Sequence, residues 1–187
     1  MKMLSELRRC LTSAQTDKTI FDVVFYGSAA RGEPKPHDVD IAVIFLSGTL
    51  RERLDKVQLL KKKIKISFPT DVKGILLEEL FHDDFFARSG LMLEGVSIFD
   101  GVPFSHKLGF DGAVLFFYNL KNKSHTEKVK FNYVLRGRLG KGVIALLDAV
   151  RVAPGVIRVP SSRSLEFEDV LKLHHVSYSF LSVLVKK

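Results

Sequence analysis

A single cysteine, Cys10, occurs in the 187 residues, so no disulfide can form within the chain and the fold must rest on packing. Cys10 reads as a buried structural thiol, and a reducing, cytoplasmic setting is the expectation. No apolar run approaches the roughly 20 residues that a helix needs to cross a bilayer. The most apolar stretches, Ala113 to Tyr118 and Phe180 to Val185, are far shorter, and no membrane partner is expected. The opening MKMLSELRRC sets charges among leucines at helical spacing (Leu4, Leu7, Leu11) in place of the unbroken apolar core of an export signal. Internal repeats and low-complexity tracts are missing too. What is present is a hydrophobic fraction of 46%, enough to bury a core as one medium domain or two small ones.

Acidic residues run short in one part of the chain only. Residues 1–104 hold 15 Lys+Arg and 15 Asp+Glu, whereas residues 105–187 hold 14 and 6, so 14 − 6 = +8 is the net charge of the whole protein. A positive excess confined to one segment points to a polyanionic partner, with a merely solvated basic surface as the plainer alternative.

The pattern of apolar residues predicts a helix over 3–16 and a buried strand over Ile20 to Tyr26 (IFDVVFY). A second strand follows over residues 39–46 (VDIAVIFL). Thr49 and Glu52 form a capping-box signature for a helix carrying Leu50, Leu54, Val57 and Leu60. Lys61, Lys62 and Lys63 end that helix, where cations complement its dipole. A third strand is expected over 64–72, a helix over 77–86 and a hairpin-like stretch over 95–103. Beyond residue 104 the expectation is a strand over 113–120, then a helix over 124–136 opened by a second capping box (Ser124, Glu127). A glycine-rich loop, a short helix, a strand over 156–159, a helix over 164–174 and a strand over 176–185 complete it. The expected organisation is an α/β domain over 1–104 and a small, basic α/β domain over 105–187.

The chemistry concentrates in YGSAARGEPKPHDVDIAVIF. A Gly27-Ser28 turn follows one strand, and Asp38 and Asp40 open the next. Two residues apart on an extended segment, their carboxylates project from one face and repel. Beside an apolar strand, a hard divalent cation, Mg²⁺ or Mn²⁺, is the natural compensation. Gly27 permits a close turn, Ser28 and the following N–H groups can point at phosphate oxygens, and Arg31 lies one turn on, suited to neutralising phosphate. Asp71, near the end of the next expected strand (KISFPTDVKGI), is the candidate third carboxylate. These parts imply in-line phosphoryl transfer with metals bridging a triphosphate.

Gly27, Ser28, Arg31, Gly32, Asp38 and Asp40 together resemble the Gly-Ser...Asp-x-Asp signature of the DNA polymerase beta-like nucleotidyltransferase superfamily, in its minimal archaeal and bacterial form. The resemblance covers roughly residues 15–104. It implies a mixed sheet flanked by helices, a turn that holds the triphosphate of an NTP donor (ATP first among them), and three metal-binding carboxylates. TDVKGILLEELF resembles the strand of the third carboxylate and the helix after it, and MLEGVSIFD the end of that domain. His37 departs from the pattern, since relatives commonly have Ser before the first Asp.

Other signals weigh less. Gly137-Arg138-Leu139-Gly140-Lys141-Gly142 lacks the spacing and the Ser/Thr of a P-loop. With Lys128, Lys130 and Arg136 on the helix before it, and Arg138 and Lys141 within it, this segment is the candidate nucleic-acid contact. Phe131 and Tyr133 serve there either as stacking platforms or as core. The histidines, including the adjacent His174-His175, form no zinc spacing with Cys10. Asp83-Asp84 read as helix surface. The expected function is transfer of NMP from an NTP to a hydroxyl acceptor, with RNA as the first candidate. Three alternatives stay open: transfer of AMP to a partner protein, as in antitoxin relatives paired with HEPN-type RNase toxins; a small-molecule acceptor such as an aminoglycoside; and non-catalytic nucleic-acid binding.

Overall fold

The computed structural model describes residues 2–31, 36–82, 88–138 and 140–186. The chain divides into two compact units, Met1–Gly109 and Phe110–Lys187.

The first unit is built on a four-stranded mixed sheet of β1 (Ile20–Tyr26), β2 (Val39–Phe45), β3 (Thr70–Leu76) and β4 (Val96–Ser97), ordered β3-β2-β1-β4. β1 runs antiparallel to β2 and β4, and β2 runs parallel to β3. Alternation along β2 explains the layering. Val39, Ile41, Val43 and Phe45 pack against Leu7 and Leu11 of α1 (Lys2–Leu11) and Val57 and Leu60 of α3 (Leu50–Lys63). Ala42 and Ile44 point the other way, toward Leu91 of α4 (Arg88–Glu94) and Phe104 of α5 (Phe104–Lys107). Both faces are covered, which is why β2 reads as an almost unbroken apolar run. The short α2 (Gly27–Ala30) turns the chain from β1 toward β2. Thr49 and Glu52 form the capping box of α3: the Thr49 N–H donates to Glu52 at 2.8 Å and the Glu52 N–H to the Thr49 hydroxyl at 3.3 Å.

Three local expectations need correction. β3 starts at Thr70 and not near Ile64, because α3 holds helical geometry through Lys63 and the alternating Ile64 and Ile66 pack on the core without pairing to a strand. α1 stops at Leu11, followed by a 3₁₀ turn over Thr12–Ala14. Of the helix expected over 77–86, the described residues 77–82 form a 3₁₀ turn, Glu78–Phe81, that ends at His82 and buries Leu80. Asp83 and Asp84 lie outside the described residues. α4 was not anticipated.

The second unit is β-rich: an antiparallel sheet, ordered β6-β7-β5-β8, of β5 (Phe110–Asn119), β6 (Val150–Ala153), β7 (Val156–Pro160) and β8 (Ser177–Lys186). Phe116, Ile157 and Val159 pack against Phe131 and Leu135 of α6 (His125–Arg136) and Phe167 and Leu171 of α8 (Ser164–Leu173). α7 (Val143–Leu146) lies in the connection from α6 to β6. Ser124 and Glu127 form the second capping box. β6 is an additional strand, joined to β7 through Pro154-Gly155, where Gly155 takes φ +77°.

Candidate active site

Tyr26 at the end of β1 pairs with Asp40 on β2, and Asp40 pairs in parallel register with Asp71 on β3. Directly opposed residues on neighbouring strands share a face and stand about 5 Å apart at Cα. The register therefore sets Tyr26, Asp40 and Asp71 in one row, with Asp38 two residues ahead of Asp40. Asp40 feels both of the other carboxylates. Burial, followed by the charges of Asp38 and Asp71, pushes the Asp40 carboxyl above its ordinary range, while Lys73 and Arg31 offset part of the shift. Burial and then the Asp40, Asp71 and Asp38 charges push the Tyr26 hydroxyl up to about 12. Tyr26 accordingly stays protonated across the physiological range.

Gly27 begins the turn at φ +79°, and a Cβ built there would fall on the Asp40 carboxylate, 3.0 Å from its Cγ. Both the left-handed backbone and the close approach require glycine. Ser28 follows in α2, half-buried. Arg31, just beyond, pairs with Glu94 of α4 at 2.8 Å. Lys73, two residues along β3 from Asp71 and so on its side of the strand, pairs with it at 3.0 Å. Gly32 lies outside the described residues, and His37 is exposed beside Asp38.

A cation is the remaining question of fit. Asp38, Asp40 and Asp71 offer only hard carboxylate oxygens, and the raised Asp40 shows a local excess of negative charge that a cation would relieve. Among the described residues, no group of three or more His, Cys, Asp or Glu side chains is gathered as a metal-holding cluster. The donor set thus suits a hard divalent ion in chemistry, while Asp71 is engaged with Lys73.

Sequence reasoning missed three neighbours of this row. Tyr26 was legible as the strand residue just before the glycine turn, and Lys73 as the i+2 neighbour of Asp71 on a strand. Glu94 had no signal, because α4 was unread. It also passed over Asp22, an acid inside IFDVVFY and fully buried. Asp22 accepts from the Ser97 hydroxyl at 3.0 Å and the Val23 N–H at 2.8 Å, and pairs with Lys107 of α5 at 3.2 Å. Lys107 also meets Asp100 at 2.8 Å. These contacts tie β1 to β4 and α5, a structural task.

In the second unit Phe131 is core, 3% exposed, whereas Tyr133 is 46% exposed and carries the Arg138 guanidinium 5.4 Å over its ring. Lys130, Tyr133 and Arg136 recur at three-residue spacing along α6, all exposed, while Lys128 is half-buried and off this line. Lys141 is exposed in the glycine loop, and Leu139 lies outside the described residues. His174 packs against Phe131 with ring centroids 5.5 Å apart.

Residues 4–89 match the family model of the nucleotidyltransferase domain. No curated protein gives a match. The matched span holds the Gly27-Ser28 turn and all three carboxylates, and it supports an enzyme of the nucleotidyl-transfer class, one that moves a nucleoside monophosphate.

Proposed function

We propose that this protein is a divalent-metal-dependent nucleotidyltransferase whose acceptor is a hydroxyl of RNA. The observation that carries the reading is the row Tyr26–Asp40–Asp71 beside a glycine turn with no room for a Cβ. A crowded set of acids on an apolar strand costs stability, and a binding module would gain nothing from it.

Asp38 and Asp40 would hold the nucleotide-side ion, and Asp71, released from Lys73, would join them on the acceptor side. Bound Mg²⁺ or Mn²⁺ supplies neutralisation of the triphosphate and acidification of the attacking hydroxyl. The protein's own groups do the rest. The backbone at Gly27 and Ser28 approaches the triphosphate, and Arg31, steadied by Glu94, adds positive charge to it. Asp71 helps take the acceptor proton. The acceptor oxygen then bonds to the α-phosphorus as the bond to pyrophosphate breaks. Tyr26 enters the site as a neutral hydroxyl. The exposed line Lys130, Tyr133 and Arg136, with Arg138 on the tyrosine ring, combines phosphate-binding charge with a stacking surface, which favours single-stranded nucleic acid as the acceptor.

The test is incubation with each α-labelled NTP and Mg²⁺ or Mn²⁺, with total RNA and cellular protein offered together, against the Asp38→Ala/Asp40→Ala variant. Label in RNA, from wild type alone, is the expected result and identifies the donor. Label in protein alone would move the acceptor to a partner protein. Full transfer by the double variant would sink the assignment.

A further inference from the structure

Lys73 is the only lysine or arginine in the four described strands of the first sheet. β3 is an edge strand, and a lysine there ordinarily keeps the open row of N–H and C=O groups from pairing with another chain, a task that asks for no partner. Lys73 is placed more specifically. The parallel register sets it opposite Ala42, as it sets Asp71 opposite Asp40. Residues two apart on a strand share a face, so this side chain stands on the same side of the sheet as the carboxylates. Its Nζ lies 3.0 Å from Asp71 Oδ2, and Lys73 comes before Arg31 among the cations that offset the rise of Asp40. One lysine therefore acts on two of the three acids. The side chains of Lys73 and Asp71 are 45% and 44% exposed, so the pair is a weak one that a stronger cation can replace.

We propose that Lys73 is a positioning residue for nucleotide transfer: it holds the Asp71 carboxylate in the row and competes with the acceptor-side ion for Oδ2. The inference rests on the divalent-metal reading of that row. A carboxylate oxygen paired with an ammonium accepts a divalent ion only as the ammonium leaves, and that exchange weakens the ion's hold on Asp71. The displaced ammonium stays on the carboxylate face, where phosphate oxygens of the substrates are its next partners. Lys73 thus sets how tightly the acceptor-side ion is held, chiefly through Asp71. Protection of a strand edge asks for no such coupling.

Mn²⁺ titration of the full-length protein without nucleotide, followed by the electron paramagnetic resonance of free Mn²⁺, reads that affinity apart from turnover. Wild type should bind one Mn²⁺ more tightly than a second. Lys73→Met, which keeps the stem and loses the charge, should tighten the second by up to about fivefold, the worth of a partly exposed ion pair. Lys73→Arg keeps the charge and should stay at or below wild-type affinity. In an Asp71→Asn background the same Lys73→Met change should have less than about half of its effect, because the carboxylate it competes for is gone. Equal affinity in wild type and Lys73→Met, or an undiminished gain in the Asp71→Asn background, would overturn the role of Lys73 and leave the metal reading standing. A wild type that binds no more Mn²⁺ than Asp38→Ala/Asp40→Ala would overturn both. If Lys73→Met does not fold, Lys73→Gln, also uncharged, decides by the same criteria.

Discussion

The two sheets have four strands each and similarly apolar interiors, yet they place charge in opposite ways. The first unit puts acids inside its strands, at Asp22, Asp40 and Asp71. The second keeps its strongest charge on α6 and the loop after it, and leaves β8 without a charge before Lys186. An acid in an apolar strand destabilises the fold unless it is partnered. Asp22 is also pushed up by burial, but it meets Ser97, the Val23 N–H and Lys107, and these contacts tie it into the fold. Asp40 faces two further carboxylates instead, and local stability gives no reason to keep it. On the function proposed above, that contrast separates a buried acid held for the fold, Asp22, from a half-buried one held for chemistry, Asp40.

The comparison can be broken most forcefully at the core of the second unit. Phe116 is 1% exposed and packs against Phe167 with tilted rings 5.0 Å apart at their centroids, so Phe116→Ala should destabilise that unit by about 3–5 kcal/mol. Denaturant melts followed by probes placed in each unit should show the second transition moving and the first staying. A common shift of both would mean that the two fold as one. A smaller effect sharpens the charge side of the contrast. Lys130→Ala and Arg136→Ala should each lower the salt dependence of single-stranded RNA binding by about one unit of slope. Salt dependence unchanged in both variants would remove α6 from the interface.

Much of this was legible in the residues, for identifiable reasons. β1 and β2 are dense runs of β-branched and aromatic residues buried on both faces, and such runs announce themselves. Both capping boxes follow from Ser or Thr with Glu three residues on. The Gly-Ser turn and the Asp-x-Asp pair were visible as a motif and Asp71 as the candidate third carboxylate, but the pairing that sets Asp71 opposite Asp40 was not. That depends on the parallel register Asp40↔Asp71, a long-range choice fixed by how α3 returns the chain to the sheet. The start of β3 was misplaced because Ile64-Lys65-Ile66 alternates as a strand does while its apolar members merely plug the core. β6 is only four residues, too short to carry a pattern, although the Pro154-Gly155 turn was a signal for the hairpin. α4, with its Gly90 and few apolar positions, gave no periodicity, and Glu94 went unseen with it.

The central claim is that Asp40 is retained for chemistry at the expense of stability, and Asp40→Asn tests it most directly. The substitution keeps shape and removes the charge that Asp38, Asp71 and burial all oppose. Measured without divalent metal at neutral pH, Tm should rise above wild type while nucleotide transfer in Mg²⁺ or Mn²⁺ is lost. A lower Tm with transfer intact would show Asp40 to be a structural acid like Asp22, and would contradict the account.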